Sequence, residues 1–137
     1  MPECVFCEIV AGRVPSVIVD ETDATLSFMD INPVNPGHVL TVPKRHSVDM
    51  WDMDAEAFAE LSAVVHAVAR RVRKVLHPEG VNMFMANGTA AGQTVFHAHV
   101  HTIPRWAGDG WIDPSWSAAP GDPEEIAAIG ERLRASP

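Results

Sequence analysis

Apolar residues recur at every third or fourth position from Phe58 through Leu61, Val65, Val68 and Val72 to Val75. That spacing draws one stripe along a helix and predicts the longest helix of the chain. Asp54 is placed to cap its start, and Pro78 and Gly80 stop it. Acidic Asp54, Glu56 and Glu60 come early and basic Arg70, Arg71, Arg73 and Lys74 come late, an order that suits the helix dipole. The remaining apolar runs are short and β-branched. Val17–Val19, Thr25–Met29, His38–Val42, Val81–Ala86 and Val95–Ile103 read as five strands. Polar residues at Asp20–Asp23 separate the first two, and the breaker-rich Asn32-Pro33-Val34-Asn35-Pro36-Gly37 separates the next pair.

The ends of the chain complete the pattern. Residues 4–10 suit a short helix, ended by Gly12 and Pro15, and Asp122-Pro123 caps a short amphipathic segment with Ile126, Ile129 and Leu133 on one side. The order of elements predicts an α+β fold: a five-stranded, mainly antiparallel sheet with one long helix and short N- and C-terminal helices. Residues 1–105 are expected to form the domain. Residues 106–137 are expected to be a tail packed on it or on a dimer partner. Residues 106–123 carry three tryptophans, three glycines and three prolines, which predicts an irregular segment covering a core edge or a subunit contact.

Composition narrows the functional classes. A chain of 137 residues with 47% hydrophobic and 20% charged residues has enough core for one domain and does not read as disordered. Ten Lys and Arg oppose 18 Asp and Glu, for a formal charge of −8, which argues against a nucleic-acid polymer as partner. No apolar run is long enough to span a membrane. The N-terminal MPECVFCEIV lacks the basic and cleavage regions of a signal peptide, so a cytoplasmic location is expected.

Two cysteines, Cys4 and Cys7, are too few for a disulfide framework. Their spacing leaves a redox pair, half of a zinc site or two unrelated buried thiols. On a helix, three residues apart, both sulfurs lie on one side.

His97-Ala98-His99-Val100-His101 is the most informative stretch. On a strand, period two puts all three imidazoles on one face, with Ala98, Val100 and Thr102 on the other. Core packing does not call for three adjacent imidazoles, since each would desolvate the next. Two chemistries fit: a catalytic metal held by His97, His99 and His101, or one imidazole acting as a nucleophile with its neighbours as acid, base or ligand. The nucleophile reading expects anion-binding backbone nearby. Asn87-Gly88-Thr89-Ala90-Ala91-Gly92-Gln93-Thr94 supplies small residues and side-chain donors for that purpose.

Residues Gly92 through Arg105, GQTVFHAHVHTIPR, resemble the signature of the histidine triad (HIT) superfamily. Phe28-Met29-Asp30-Ile31-Asn32-Pro33 and Pro36 through His46, PGHVLTVPKRH, resemble its other recurring blocks, in the same order. The resemblance covers residues 4 to about 106. Ala98 is smaller, and Thr102 more polar, than the family prefers. Both are expected to face away from the site and to alter packing rather than chemistry.

The resemblance implies the HIT-like fold and a nucleotidyl hydrolase or transferase. His99 would attack the α-phosphorus of a purine nucleotide conjugate, a nucleoside phosphoramidate or a dinucleoside polyphosphate. A P–N or P–O bond would break through a nucleotidyl-histidine intermediate. His101, Thr94 and Gln93 would contact the phosphate or leaving group, and His38 would complete the histidine cluster. Asp30 would bind the ribose hydroxyls, Asn87 would hold the phosphate loop, and Phe6, Phe28 and Ile31 would line the base pocket. It further implies a structural zinc held by Cys4, Cys7, His46 and His97, and a homodimer. The alternative is a non-enzymatic nucleotide-binding or protein-interaction module on the same scaffold.

Overall fold

The computed structural model describes residues 4–110 and 119–136. The elements run α1 (Val5–Val10), β1 (Ile18–Glu21), β2 (Thr25–Met29), β3 (Val39–Pro43), α2 (Ala55–Leu76), β4 (Gly80–Phe84), β5 (Val100–Arg105) and α3 (Pro123–Ala135). The five strands form one antiparallel sheet in the order β1-β2-β3-β5-β4. The expected α+β fold is the observed one. Among the described residues no helix is long and apolar enough to cross a membrane.

Asp54 caps α2 as its sequence position predicts, its carboxylate accepting the Ala57 N–H at 2.8 Å. At the other end His77 takes a left-handed conformation and its N–H closes the last turn onto the Arg73 carbonyl. The α2 stripe and the inner face of α3 bury one side of the sheet. Val68 and Val72 meet Val19, Met29 and Val39 there, and Ile126, Ile129 and Leu133 of α3 join the same cluster. α3 lies close because Gly130 has no side chain: a Cβ there would come within 2.3 Å of Val17. Gly37 serves the sharp turn into β3 with φ +92°, and a Cβ there would strike Leu76.

Alternation sends the other residues of β2 and β3 to the opposite face. Leu26, Phe28, Leu40 and Val42 form a second cluster there, roofed by Phe6 of α1. β2 and β3 are therefore buried at every position, whereas β4, at the sheet edge, is largely exposed.

The register places Thr102 opposite Val39 and Met83, on the α2 face. It is fully buried, and among the described residues its hydroxyl has no hydrogen-bond partner. An orphaned hydroxyl costs stability that an isosteric methyl does not. Thr102→Val is accordingly expected to raise unfolding stability by about 1 kcal/mol, read from denaturant melts. A loss of stability would mean that the hydroxyl is satisfied.

Several expected boundaries shift. β4 stops at Phe84 instead of Ala86, and β5 begins at Val100 instead of Val95. α3 is longer than a single turn, at 13 residues. The late start of β5 has a visible cause. The carbonyl of Pro43, at the end of β3, accepts the His97 ring N–H, and Ala98 N–H turns to the Ser47 carbonyl. The β3–β5 ladder stops there, so His97 and His99 precede the strand and only His101 lies on it. Trp106 is half-buried, and Trp111 and Trp116 lie outside the described residues.

Candidate active site and metal-binding cluster

A cleft of about 620 Å³ opens on the α1 face of the sheet. Phe6, Phe28, Ile31, His99, His101 and Thr94 are among the residues that line it, with Phe6 against His99. Asp30 lies on its wall. Phe6 and Phe28 meet edge to face at 5.5 Å and give the cleft an apolar slot, while Ile31, 67% exposed, stands at the rim. A wider groove follows α2 past His66, Arg70 and Lys74 and contains none of the triad.

The backbone and ring hydrogen bonds assign the proton on each buried imidazole. His99 Nδ1 lies 2.7 Å from the His97 carbonyl and must donate to it, which leaves the lone pair on Nε2. Val34 N–H donates to His38 Nδ1 at 3.1 Å, so His38 carries its proton on Nε2. That N–H donates to His101 Nδ1 at 2.9 Å, and His101 in turn carries its proton on Nε2. The result is a chain in which His99 offers a lone pair and His101 offers a proton, with ring centres 5.0 Å apart. Burial favours the neutral rings. It pushes His38 and His101 down to about 3, helped for His38 by His99 and for His101 by His38 and then His99. His99 is also lowered by burial, and its bond to the His97 carbonyl and the charge of Asp30 oppose the shift.

Asp30 does two things. One oxygen accepts the Asn32 N–H at 2.8 Å, as a turn-forming Asp would. The other lies 3.4 Å from His38 Nε2. Asp30, His38 and His101 bring ligand-type atoms close together, but Val34 fixes the His38 proton on Nε2 and that nitrogen has no lone pair for a cation. This trio holds a proton, not a metal.

A different set suits a metal. Cys4 Sγ, Cys7 Sγ and one nitrogen each of His46 and His97 all lie within 4.8 Å of one another. His97 Nε2–H donates to the Pro43 carbonyl at 2.7 Å, which frees the Nδ1 lone pair to face Cys4 at 3.3 Å and Cys7 at 3.5 Å. His46 Nδ1 lies 3.2 Å from Cys7. A backbone carbonyl fixing the tautomer of a ligating histidine is the usual outer support of a metal site. Burial, and then the adjacent Cys4, push the Cys7 thiol up to about 11, a shift that a bound cation would reverse. Two thiolates and two neutral imidazoles form a closed tetrahedral set of the kind zinc takes in structural sites.

The three triad rings do not converge on one point. His97 turns to the sulfurs, His99 to a carbonyl and His101 to His38. That arrangement does not fit a single metal held by all three.

One candidate residue sits differently from expectation. Gln93, 3% exposed, faces inward: its amide donates to the Val48 and Val95 carbonyls and accepts the Gly88 N–H. All of its bonds shape the loop, so it does not reach the cleft. Asn87 Oδ1 accepts the Met50 N–H at 2.8 Å and ties that loop to the turn at Met50–Asp52. Sequence reading missed Phe84, which stacks on His101 at 4.5 Å. The register that puts Phe84 opposite His101 is set by strand pairing and leaves no local signal.

Comparison with known proteins gives the family and the fold. The adenosine 5'-monophosphoramidase of Schizosaccharomyces pombe is 38% identical over 95% of this chain and 95% of its own length. A protein of Bacillus subtilis called protein hit is 38% identical over 97% and 96%. Among solved structures, a zinc-bound histidine triad family protein from Mycobacterium smegmatis superposes with a TM-score of 0.84 at 39% identity, covering 97% of this chain and 91% of that one. A Hit-like protein from Bartonella henselae gives 0.86 at 32%, covering 97% and 95%. Residues 11–108, which hold every triad histidine, match the HIT domain, and the chain belongs to that family.

Proposed function

We propose that this protein is a nucleotidyl hydrolase or transferase that cleaves a P–N or P–O bond at the α-phosphorus of a purine nucleotide conjugate. The observation that carries the reading is the 2.7 Å bond from His99 Nδ1 to the His97 carbonyl, which leaves Nε2 as the nucleophilic nitrogen on a ring that lines the cleft. The base lies in the slot of Phe6, Phe28 and Ile31, and the ribose hydroxyls donate to Asp30. The phosphate meets the Gly92–Thr94 segment, with the Thr94 hydroxyl as a donor.

His99 Nε2 attacks phosphorus and forms the P–N bond. The bond to the leaving nitrogen or oxygen breaks and its electron pair stays with that atom, which takes the proton of His101 Nε2. A proton taken up with the anionic phosphate makes the His38–His101 pair cationic before this step, a charge that Asp30 favours, and its loss from His101 Nε2 leaves the pair neutral. In the second step water attacks phosphorus and gives a proton to His101 Nε2, the His99–P bond breaks and its electron pair returns to His99 Nε2. Gln93 and Asn87 hold the loop in shape rather than touching substrate.

Cys4, Cys7, His46 and His97 would hold a structural zinc, which supplies cross-linking of the N-terminal segment to the triad. The homodimer belongs to this reading too: among the described residues β4 pairs only with β5, and its Met83 is more than half exposed.

The likeness to an adenosine 5'-monophosphoramidase puts adenosine 5′-phosphoramidate first among substrates to try, with diadenosine polyphosphates beside it. AMP release from either, followed chromatographically, supports the reading, and the faster of the two identifies the leaving group. AMP binding with release from neither would replace it with the non-enzymatic module.

A further inference from the structure

Helix α1 has only six residues, and a helix that short does not persist without tertiary support. Its residues alternate between two tasks. Cys4 caps it, its sulfur accepting the Cys7 N–H at 3.3 Å, and both sulfurs face His97 and His46. Phe6, between them, packs into the second core cluster. Its ring stands edge-on against His99 at 5.1 Å, His97 at 5.9 Å and Phe28 at 5.5 Å. Phe6 therefore touches both the candidate nucleophile and the base slot, and its position depends on the two sulfurs that flank it.

A second connection runs through His97. Its ring joins the metal cluster, while its own carbonyl accepts the Nδ1–H of His99. The ring is fully buried and its far nitrogen is fixed to Pro43. Because the ring is held at both nitrogens, a backbone displacement at residue 97 that lost the sulfurs would also move the carbonyl that holds the His99 tautomer. The two routes, one through a side chain on α1 and one through backbone at residue 97, converge on His99.

We propose that metal binding at Cys4, Cys7, His46 and His97 and nucleotide binding in the cleft are energetically coupled, through Phe6 and the His97 carbonyl. The cluster is then a positioning site for the nucleotide pocket as well as a staple of the fold. This rests on the nucleotide reading above. Coupling is reciprocal: whatever factor the metal adds to nucleotide affinity, the nucleotide adds to metal affinity. That reciprocity gives a readout independent of turnover, taken on the metal-loaded protein as it exists.

The experiment is competition for zinc between the protein and a chromogenic chelator, with and without saturating AMP, alongside calorimetric AMP binding to the zinc-loaded protein. AMP is expected to raise zinc affinity about tenfold, within the usual range of coupled sites. Phe6→Leu keeps all four ligands, so it is expected to keep zinc while reducing that factor to about two or less. If AMP binds the zinc-loaded protein and leaves zinc affinity unchanged, the coupling is wrong and the nucleotide reading stands. If zinc-loaded protein does not bind AMP, the nucleotide reading fails and the coupling falls with it. If Phe6→Leu retains the full factor, Phe6 is not a route.

Discussion

Replacing His99 with alanine is expected to reduce turnover by a factor of about 10⁴ or more, because it removes the ring nitrogen proposed to form the covalent bond to phosphorus. His101 is close, but its Nδ1 accepts from His38 and its other nitrogen carries a proton, so it has no lone pair to substitute. The same substitution is expected to leave AMP binding and the fold nearly intact. His99 borders the cleft, and solvent can fill the space left by the ring. Its one backbone bond goes to a carbonyl that water can satisfy. The check is kcat beside the AMP dissociation constant and the melting temperature. A kcat within tenfold of wild type would remove His99 from the role of nucleophile. His97→Ala is not a useful control, since it strips the metal cluster and the carbonyl-bearing residue's anchor at once.

The second large effect concerns stability. Cys7→Ser is expected to abolish tight zinc binding and to lower unfolding stability by about 3 kcal/mol or more, in keeping with the loss of a structural metal. The size follows from what the cluster joins. Cys4 and Cys7 hold α1, His46 follows β3, and His97 precedes β5. Without the cation, α1 has the packing of Phe6, Ile9 and Val10 on the second core cluster to hold it. Metal analysis should give about one zinc per wild-type chain, and denaturant melts of both proteins measure the loss. Equal stability with zinc absent from both would reduce the cluster to a set of thiols and imidazoles.

Much of this was legible in the sequence because it was local. The stripe from Phe58 to Val75 and the cap at Asp54 need only helical periodicity, and both stand where the pattern put them. The alternation in β2 and β3 likewise predicts which residues face α2 and which face the cleft. The metal cluster draws on three distant segments, and a resemblance, not a period, assembled it. What could not be read was pairing across the sheet and bonds to the backbone. Nothing near Val95 announces that the Pro43 carbonyl is taken by His97 and that β5 must start later. Gln93 reads as a donor to phosphate until its amide is seen spending every bond on Val48, Val95 and Gly88. Phe84 meets His101 only through the β4–β5 register. Thr102 was expected to disturb packing on the far face, and its orphaned hydroxyl is the form that disturbance takes.

The central claim is that reaction passes through a covalent bond from His99 to phosphorus. The stereochemical course at phosphorus tests it most directly, with adenosine 5′-phosphoramidothioate of one configuration hydrolysed in oxygen-labelled water. Each in-line displacement inverts phosphorus. Attack by His99 followed by attack of water predicts net retention. Net inversion would mean a single displacement by water, and would contradict the account.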